Sequence, residues 1–377
     1  MIDTILCIDI GTSSLKAALL SDKYTVEACS RQEVSGSADS WLFALKKAIA
    51  SMKEQNPETG IEAVCISGNG PTLVADSGGR TTTLLWNENP PAAEKIHAQK
   101  YDTKSIFIPR LKLFKEIYRD EWNNAIHILS APEFLIYKLT GTALSILPDE
   151  RFGTAYWTQT ELLNAGFSPS EAKKIPPFAR MGSFAGKISA AAAIATGLFE
   201  GTFVFCGAPD FIVAILGTGT IFPGLVCDRA GSSEGINLCT QEPVFDAGIR
   251  TLPHPMEGLW NASVLIEKSG TRIFESQEKK EAVLEDFARG IEKLRNIADK
   301  NKLPFSNRIV MTGGQCQNES FVSQKAERAG IRIEIPWCSD AELIGDLILT
   351  RVALGDFDDI QEAAMCLCKA KKSYGNI

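Results

Sequence analysis

Asp9-Ile10-Gly11-Thr12-Ser13-Ser14-Leu15-Lys16 gathers a carboxylate, a glycine, three hydroxyls and an ammonium into one short segment. A glycine flanked by hydroxyl residues in a turn can aim backbone N–H groups and hydroxyls at phosphate oxygens, and a carboxylate at a strand end can hold Mg²⁺ through water. The P-loop needs GxxxxGK[ST] leading into a helix, whereas Leu15 to Leu20 reads as the return strand of a hairpin. An ordinary hairpin fits the bare pattern as well. Gly207-Ala208-Pro209-Asp210 puts a carboxylate where a buried run, Val204 to Cys206, meets a helix expected from Phe211 to Leu216. Asp210 is then a helix N-cap, or a general base that accepts the proton of an attacking hydroxyl; one residue can do both. Thr312-Gly313-Gly314-Gln315-Cys316-Gln317-Asn318 follows another buried run. Its glycines let the backbone approach a flat ligand such as a purine or its ribose. The alternative there is a plain strand-to-helix turn with Asn318 as N-cap.

These segments need strand ends to hold them. Apolar runs at Ile5 to Ile8, Leu15 to Leu20, Thr25 to Cys29 and Glu62 to Ser67 read as strands, with an amphipathic helix over Ser40 to Met52 before the last. A similar order returns later: strands at Ile236 to Cys239, Ala247 to Thr251 and Leu259 to Val264, and a helix from Glu281 to Asp299. A strand at Arg308 to Met311 and a helix at Asn318 to Ala329 complete it. In the long helix Val283, Leu284, Phe287, Ile291, Leu294 and Ala298 form one apolar stripe. The recurrence reads as a duplication of topology, and the expected domains are 1–224 and 225–377, divided at Pro223-Gly224.

A chain of 377 residues suffices for two cores, and a formal charge of −7 argues against general nucleic-acid binding. The ten cysteines form no CxxC pair, and the chain has 3 histidines, too few to complete zinc sites with them, so buried reduced thiols in a cytoplasmic protein are expected. Cys366 and Cys368, one residue apart, are a weaker candidate for a metal or redox pair. Met1-Ile2-Asp3 runs straight into the first strand without a secretory leader, and Phe203 to Val226 is broken by Asp210 and glycines, so no membrane partner is expected. His97, His127 and His254 are expected to be surface or structural. Apart from Trp86, the tryptophans are expected in the core or at interfaces.

Taken together these motifs resemble the FGGY carbohydrate kinases, the family of xylulose, glycerol and gluconate kinases. Asp9 to Lys16 is similar to their first phosphate turn, and Ile66 to Pro71 with Leu85-Trp86-Asn87-Glu88 to their sugar-contacting segments. Leu139-Thr140-Gly141 with Asp149 and Gly153-Thr154, then Thr196-Gly197-Leu198 through Thr202 leading to Asp210, follow in the family order. Gly231-Ser232-Ser233 resembles the second phosphate turn, and Gly313-Gly314 with Asn318 the adenosine segment. The resemblance implies an α/β protein of two actin-like (ribonuclease H-like) domains of duplicated topology flanking an ATP and sugar cleft. It implies Asp210 as the catalytic base and Asp9 as the carboxylate for Mg²⁺. Gly11, Thr12, Ser13, Lys16, Gly231, Ser232, Gly270, Gly313, Gly314, Gln315 and Asn318 would serve ATP. Asn69, Gly70, Pro71, Trp86, Asn87, Asp149 and Asp210 would serve a sugar, polyol or sugar-acid substrate. The partner is a small molecule, and a homodimer is compatible with the pattern.

The chain also departs from that family. Only Ser276 to Lys280 bridges the stretch before the helix from Glu281, where the family carries a longer segment. Gly70-Pro71 replaces the Met-His of xylulose kinases, Glu88 stands for an aspartate, and Ala208-Pro209 for two glycines. Glu234 follows the second phosphate turn where glycine is common; a carboxylate there repels phosphates unless it points away or helps hold Mg²⁺. Two other functions compete with an active kinase. One is a catalytically weakened homologue that binds sugar or nucleotide. The other is an actin-like ATPase, which would need neither Asp210 nor the Trp86 segment.

Overall fold

The computed structural model describes residues 3–91 and 103–375; His97 lies outside them. By its contacts the chain divides into two compact units, residues 1–21 with 26–210, and residues 22–25 with 211–377. Pro223-Gly224, the boundary expected from sequence, lies inside the second unit.

Unit 1 runs β1 (Asp3–Ile10), β2 (Ser14–Ser21), β3 (Thr25–Glu33), α1 (Ala38–Gln55), β4 (Gly60–Gly68), β5 (Leu73–Asp76), β6 (Thr81–Leu84), α2 (Phe107–Ile117), α3 (Arg119–Asn124), β7 (His127–Leu129), α4 (Ala131–Thr140) and β8 (Ser145–Leu147). It continues through a 3₁₀ turn (Glu150–Ala155), α5 (Gln159–Asn164), α6 (Pro169–Ala172), β9 (Phe178–Arg180), β10 (Phe184–Lys187), α7 (Ala190–Thr196) and β11 (Phe203–Pro209). Its main sheet has the order β10-β11-β4-β1-β2-β3. β4 is parallel to β1 on one side and to β11 on the other, and β2 is antiparallel to β1. Ile5, Leu6, Cys7 and Ile8 are all fully buried, as expected of a central strand covered on both faces. α1 buries Trp41, Leu45, Ala48, Ile49 and Met52 on one stripe, and the Ser37 side chain accepts from Ser40 N to cap it. Each large apolar side chain so buried contributes about 1.5–3 kcal/mol.

Unit 2 contains α8 (Asp210–Gly217, all but its first residue), β12 (Val226–Ala230), β13 (Glu234–Thr240), β14 (Arg250–Pro253), β15 (Trp260–Ile266), α9 (Ser269–Glu275) and α10 (Gln277–Lys300). Then come β16 (Arg308–Thr312), a 3₁₀ turn (Gly314–Gln317), α11 (Glu319–Ala329), β17 (Arg332–Pro336), α12 (Ala341–Leu354), α13 (Ile360–Leu367) and β18 (Ala370–Tyr374). Its sheet is ordered β14-β15-β13-β12-β16-β17-β18. β12 is antiparallel to β13 and parallel to β16, and β16 is parallel to β17. The run β15-β13-β12-β16-β17 therefore repeats the order of β3-β2-β1-β4-β11. Ile236, Leu238, Phe287, Ile291, Leu294, Ile309, Met311, Val322 and Ile333 form its core. α8 and α12 meet at backbone distance: a Cβ on Gly217 would fall 1.8 Å from Ala341 O, and one on Gly345 2.0 Å from Val213 O.

Two sequence expectations need correction. Ser276 to Lys280 is not a bridge, because the Ser276 side chain accepts from Lys279 N and starts α10 at Gln277. The strand expected over Ala247 to Thr251 begins at Arg250, where pairing with Ser263 of β15 becomes available. Among the described residues no helix is long and apolar enough to cross a membrane.

Candidate functional site

In unit 1 three parallel strands end side by side. Gly68, the last residue of β4, pairs with Ile10 of β1 on one side and with Pro209 of β11 on the other. The approach is tight, since a Cβ on Gly68 would stand 3.0 Å from both Ile10 Cβ and Ile10 O and the neighbours would have to give by a few tenths of an ångström. Asp9, Asn69 and Asp210 are thereby collected at one sheet edge, the carboxyl end of parallel strands, where α/β sheets bind ligands. Asp210 opens α8 directly after β11, as the junction in the sequence suggested, and is half-buried. Asp9 is 2% exposed and Lys16, its partner across the hairpin, brings Nζ to 3.2 Å from Asp9 Oδ2. Gly11 donates its N–H to Ser14 O at 2.9 Å, closing the turn that exposes Ser13.

The segments expected to contact a sugar are tied to this turn. Trp86 Nε1 donates to Thr12 Oγ1 at 2.9 Å while the ring stays 46% exposed, leaving a face for a ligand. Asn69 is buried; its backbone N–H donates to Ile10 O, its Oδ1 accepts from Thr72 Oγ1 at 2.6 Å, and its Nδ2 has no protein partner. Thr72 Oγ1 in turn accepts from Trp86 N, and Gly70-Pro71 forms the bend between. Asn87 is exposed beside Trp86.

Arg110, which the sequence reading did not single out, holds the Trp86 turn. It is buried in α2 and donates from Nη1 to Glu88 O at 2.7 Å and from Nη2 to Leu85 O. Burial lowers its pKa, with Glu88 opposing that shift. Glu88 Oε2 accepts from Leu85 N at 2.9 Å, so its extra methylene closes this turn on itself. The available signal was a cation inside the apolar run Phe107 to Phe114.

Asp149 caps the 3₁₀ turn that leads back to the start of α2. Its Oδ1 accepts from Arg151 N at 2.9 Å and pairs with Arg151 Nε at 2.7 Å. Burial alone would raise its pKa, but the Arg151 contacts hold it below the ordinary carboxylate value. The 3₁₀ turn is bonded to the start of α2 by Ile106 N to Ala155 O, and Phe107 packs on Tyr156 with centroids 4.7 Å apart.

In unit 2 the expected nucleotide residues converge on the β12–β13 turn, where Gly231, Ser232 and Ser233 are exposed. Gly270 donates N–H to Ser232 O at 3.1 Å, and a Cβ there would fall 2.3 Å from Gly231 O. Gly313, at φ +98°, has no room either: its Cβ would fall 2.6 Å from Ala230 O. Both positions need glycine for close backbone approach. Gln315 is 4% exposed, with Nε2 on Gly231 O, Ser269 Oγ and Glu234 Oε2, so it holds the turn from behind. Gly314 and Asn318 are exposed, and Asn318 Oδ1 caps α11 by accepting from Phe321 N at 3.1 Å. Glu234 points away from the turn: it is fully buried and pairs with Lys325 at 2.7 Å. Lys325 has no counterpart in the sequence reading. Its signal is a cation in phase with Phe321, Val322 and Ala326, just as Glu234 is in phase with Ile236 and Leu238.

The remaining candidates sit elsewhere. His254 is buried, with Nε2 at 2.8 Å from Thr220 O and Nδ1 accepting from Met256 N, a structural role. Cys368 Sγ faces the Leu216 and Gly217 carbonyls, whereas Cys366 Sγ faces Tyr24 Oη, so the two thiols do not share a site.

No protein-family model matches the chain. Solved structures resemble it over nearly its whole length. The xyloylose kinase of Brucella ovis aligns with TM-score 0.78 at 17% identity, over 98% of this chain and 94% of that one. The gluconate kinase of Lactobacillus acidophilus aligns at 0.77 and 15%, over 100% and 94%. The glycerol kinase of Plasmodium falciparum, solved with ADP, aligns at 0.76 and 11%, over 99% and 94%. The chain thus has the fold of these carbohydrate kinases, and spans 94% of each of the three chains.

Proposed function

We propose that this protein transfers the terminal phosphoryl group of ATP to a hydroxyl of a sugar, polyol or sugar acid. The observation that carries the reading is the junction at Gly68, which sets Asp9, Asn69 and Asp210 on one strand-end edge beside the Trp86 face. The kinase fold of the solved neighbours supports it. We take each unit as an actin-like domain, the first holding the acceptor and the catalytic carboxylate and the second the nucleotide.

Asp210 takes the proton of the acceptor hydroxyl as its oxygen forms a bond to the γ-phosphorus. The bond from that phosphorus to the β–γ bridging oxygen breaks, and ADP leaves with the electron pair. The turn Gly11–Ser13, with Ser13 exposed, and the exposed turn Gly231–Ser233 offer N–H groups and hydroxyls to the phosphates, and Lys16 adds a positive charge. Trp86 covers one face of the carbohydrate, and the Nδ2 of Asn69 is available to a hydroxyl.

Mg²⁺ usually binds one or two carboxylates together with substrate phosphates and water. Asp9 fits that pattern in standing at a strand end beside the phosphate turn, with Lys16 at its Oδ2. Among the described residues no cluster of three ligating side chains exists, so Asp9 would hold the ion jointly with the nucleotide. The bound ion would neutralise phosphate charge.

The test is ADP release with Mg-ATP and a panel of pentoses, hexoses, polyols and sugar acids. At least one acceptor should be turned over, and Asp210→Asn should lower kcat by about a thousandfold. Wild-type protein inactive on the whole panel would overturn the proposal.

A further inference from the structure

Three charged side chains lie fully buried beneath the β12–β13 turn, and phosphoryl transfer as described assigns them no step. Lys325, Asp228 and Glu234 are each 0% exposed. Lys325 Nζ stands 2.7 Å from Glu234 Oε1, 3.2 Å from Asp228 Oδ2 and 4.6 Å from the centre of the Phe287 ring. Removing such charges from water costs several kcal/mol per ion, and apolar replacements of like volume are often no less stable. Stability is therefore a poor reason for the network.

Its contacts suggest another. Glu234 opens β13 directly after Ser233, and its Oε2 receives Gln315 Nε2 at 3.3 Å. The same amide reaches Gly231 O at 3.3 Å and Ser269 Oγ at 2.9 Å. A continuous path thus runs from Lys325 through Glu234 and Gln315 to the backbone of the turn. The charge balance suits an anionic ligand overhead. Two carboxylates face one ammonium, and burial together with the Glu234 charge pushes Asp228 up to about 8, so the network keeps a proton at neutral pH. Asp228 Oδ1 has no hydrogen-bond partner among the protein groups.

We propose that Lys325 and Glu234 are positioning residues for the turn Gly231–Ser233, fixing through Gln315 the backbone that receives the nucleotide's phosphates. The inference rests on the kinase reading only for the identity of that ligand.

Two variants test it. The double substitution Glu234→Gln with Lys325→Met removes both charges at similar volume and leaves Asp228 to stay protonated. Gln315→Met cuts the path while leaving the Lys325 pairs intact. ADP affinity by calorimetry should weaken about tenfold in each, since charge-linked hydrogen bonds are lost. The thermal midpoint of the double variant should stay near wild type while that of Gln315→Met falls by a few degrees for the hydrogen-bond acceptors left unpaired, and where turnover is measurable KM should rise for ATP but not for the acceptor. Folded variants with wild-type ADP affinity, or an equal rise in both KM values, would overturn the proposal and leave the kinase reading standing. Wild type that binds ADP yet phosphorylates nothing would defeat the kinase reading while the calorimetric comparison still decides this one. Wild type that binds no ADP would defeat both.

Discussion

Arg110 fixes the turn that carries Trp86. Its guanidinium donates to the carbonyls of Leu85 and Glu88, on either side of the exposed Trp86 ring. Arg110→Met keeps much of the buried stem but leaves both carbonyls without this donor, so the Trp86 turn loses its fixed geometry. Acceptor KM should rise about tenfold, while ADP affinity stays at the wild-type value. Unchanged acceptor KM in a folded variant would remove Arg110 from the account. Residues of this kind escaped the sequence reading because their signal is relational. A charge at an apolar position implies a buried partner, but the partner of Arg110 is a pair of backbone carbonyls that no side-chain pattern encodes. Glu234 differs, for its phase with Ile236 and Leu238 and the phase of Lys325 with Phe321 and Val322 carry a signal for a buried pair of opposite charge that the sequence reading did not use.

At the scale of elements, the strand ends and turns bearing Asp9, Asp210 and Gly313 were legible, because apolar runs closed by glycine or aspartate mark where buried strands stop. β12 was not, because Asp228 and Arg229 interrupt its short apolar pattern. The small strands β5 to β9 were missed as well, being three or four residues long. One element carries a pH-dependent signature. Glu133, buried in the first turn of α4, accepts from Ser130 N at 2.7 Å and from Ile146 N at 2.6 Å. Burial raises its carboxyl to about 7, with those hydrogen bonds opposing the shift. The folded pKa lies above the ordinary value, so the folded state binds more protons between them, and this contribution to stability falls as pH rises from about 4.5 to about 7. Glu133→Gln removes the titration and turns one acceptor into a donor facing a backbone N–H, at a cost of about 1–3 kcal/mol. The stability gap between wild type and variant, from urea unfolding, should narrow by about 1 kcal/mol per pH unit across that range. A gap independent of pH would mean that Glu133 does not hold its proton in the folded protein.

For the whole molecule, the legible feature was the recurrence of strand, turn and helix, which the two sheets realise as the same order of five strands. The fold is shared with solved kinases at 11% to 17% identity, and in this chain the order rests on the period of burial and on glycines at close backbone approaches, such as Gly270 and Gly313. The acceptor was not legible, since its hydroxyls would be read by turns such as Asn69–Thr72 and Leu85–Glu88, whose shape depends on Arg110 and on hydrogen bonds between distant segments. The central claim is that Asp210 accepts the proton while a carbohydrate oxygen takes the γ-phosphoryl group. It is tested most directly by mass spectrometry of the acceptor after incubation with Mg-ATP and the wild-type protein or Asp210→Asn. The account predicts a phosphorylated acceptor with wild type, nearly absent with the variant; ADP and inorganic phosphate beside an unmodified acceptor, in equal amounts from both proteins, would contradict it.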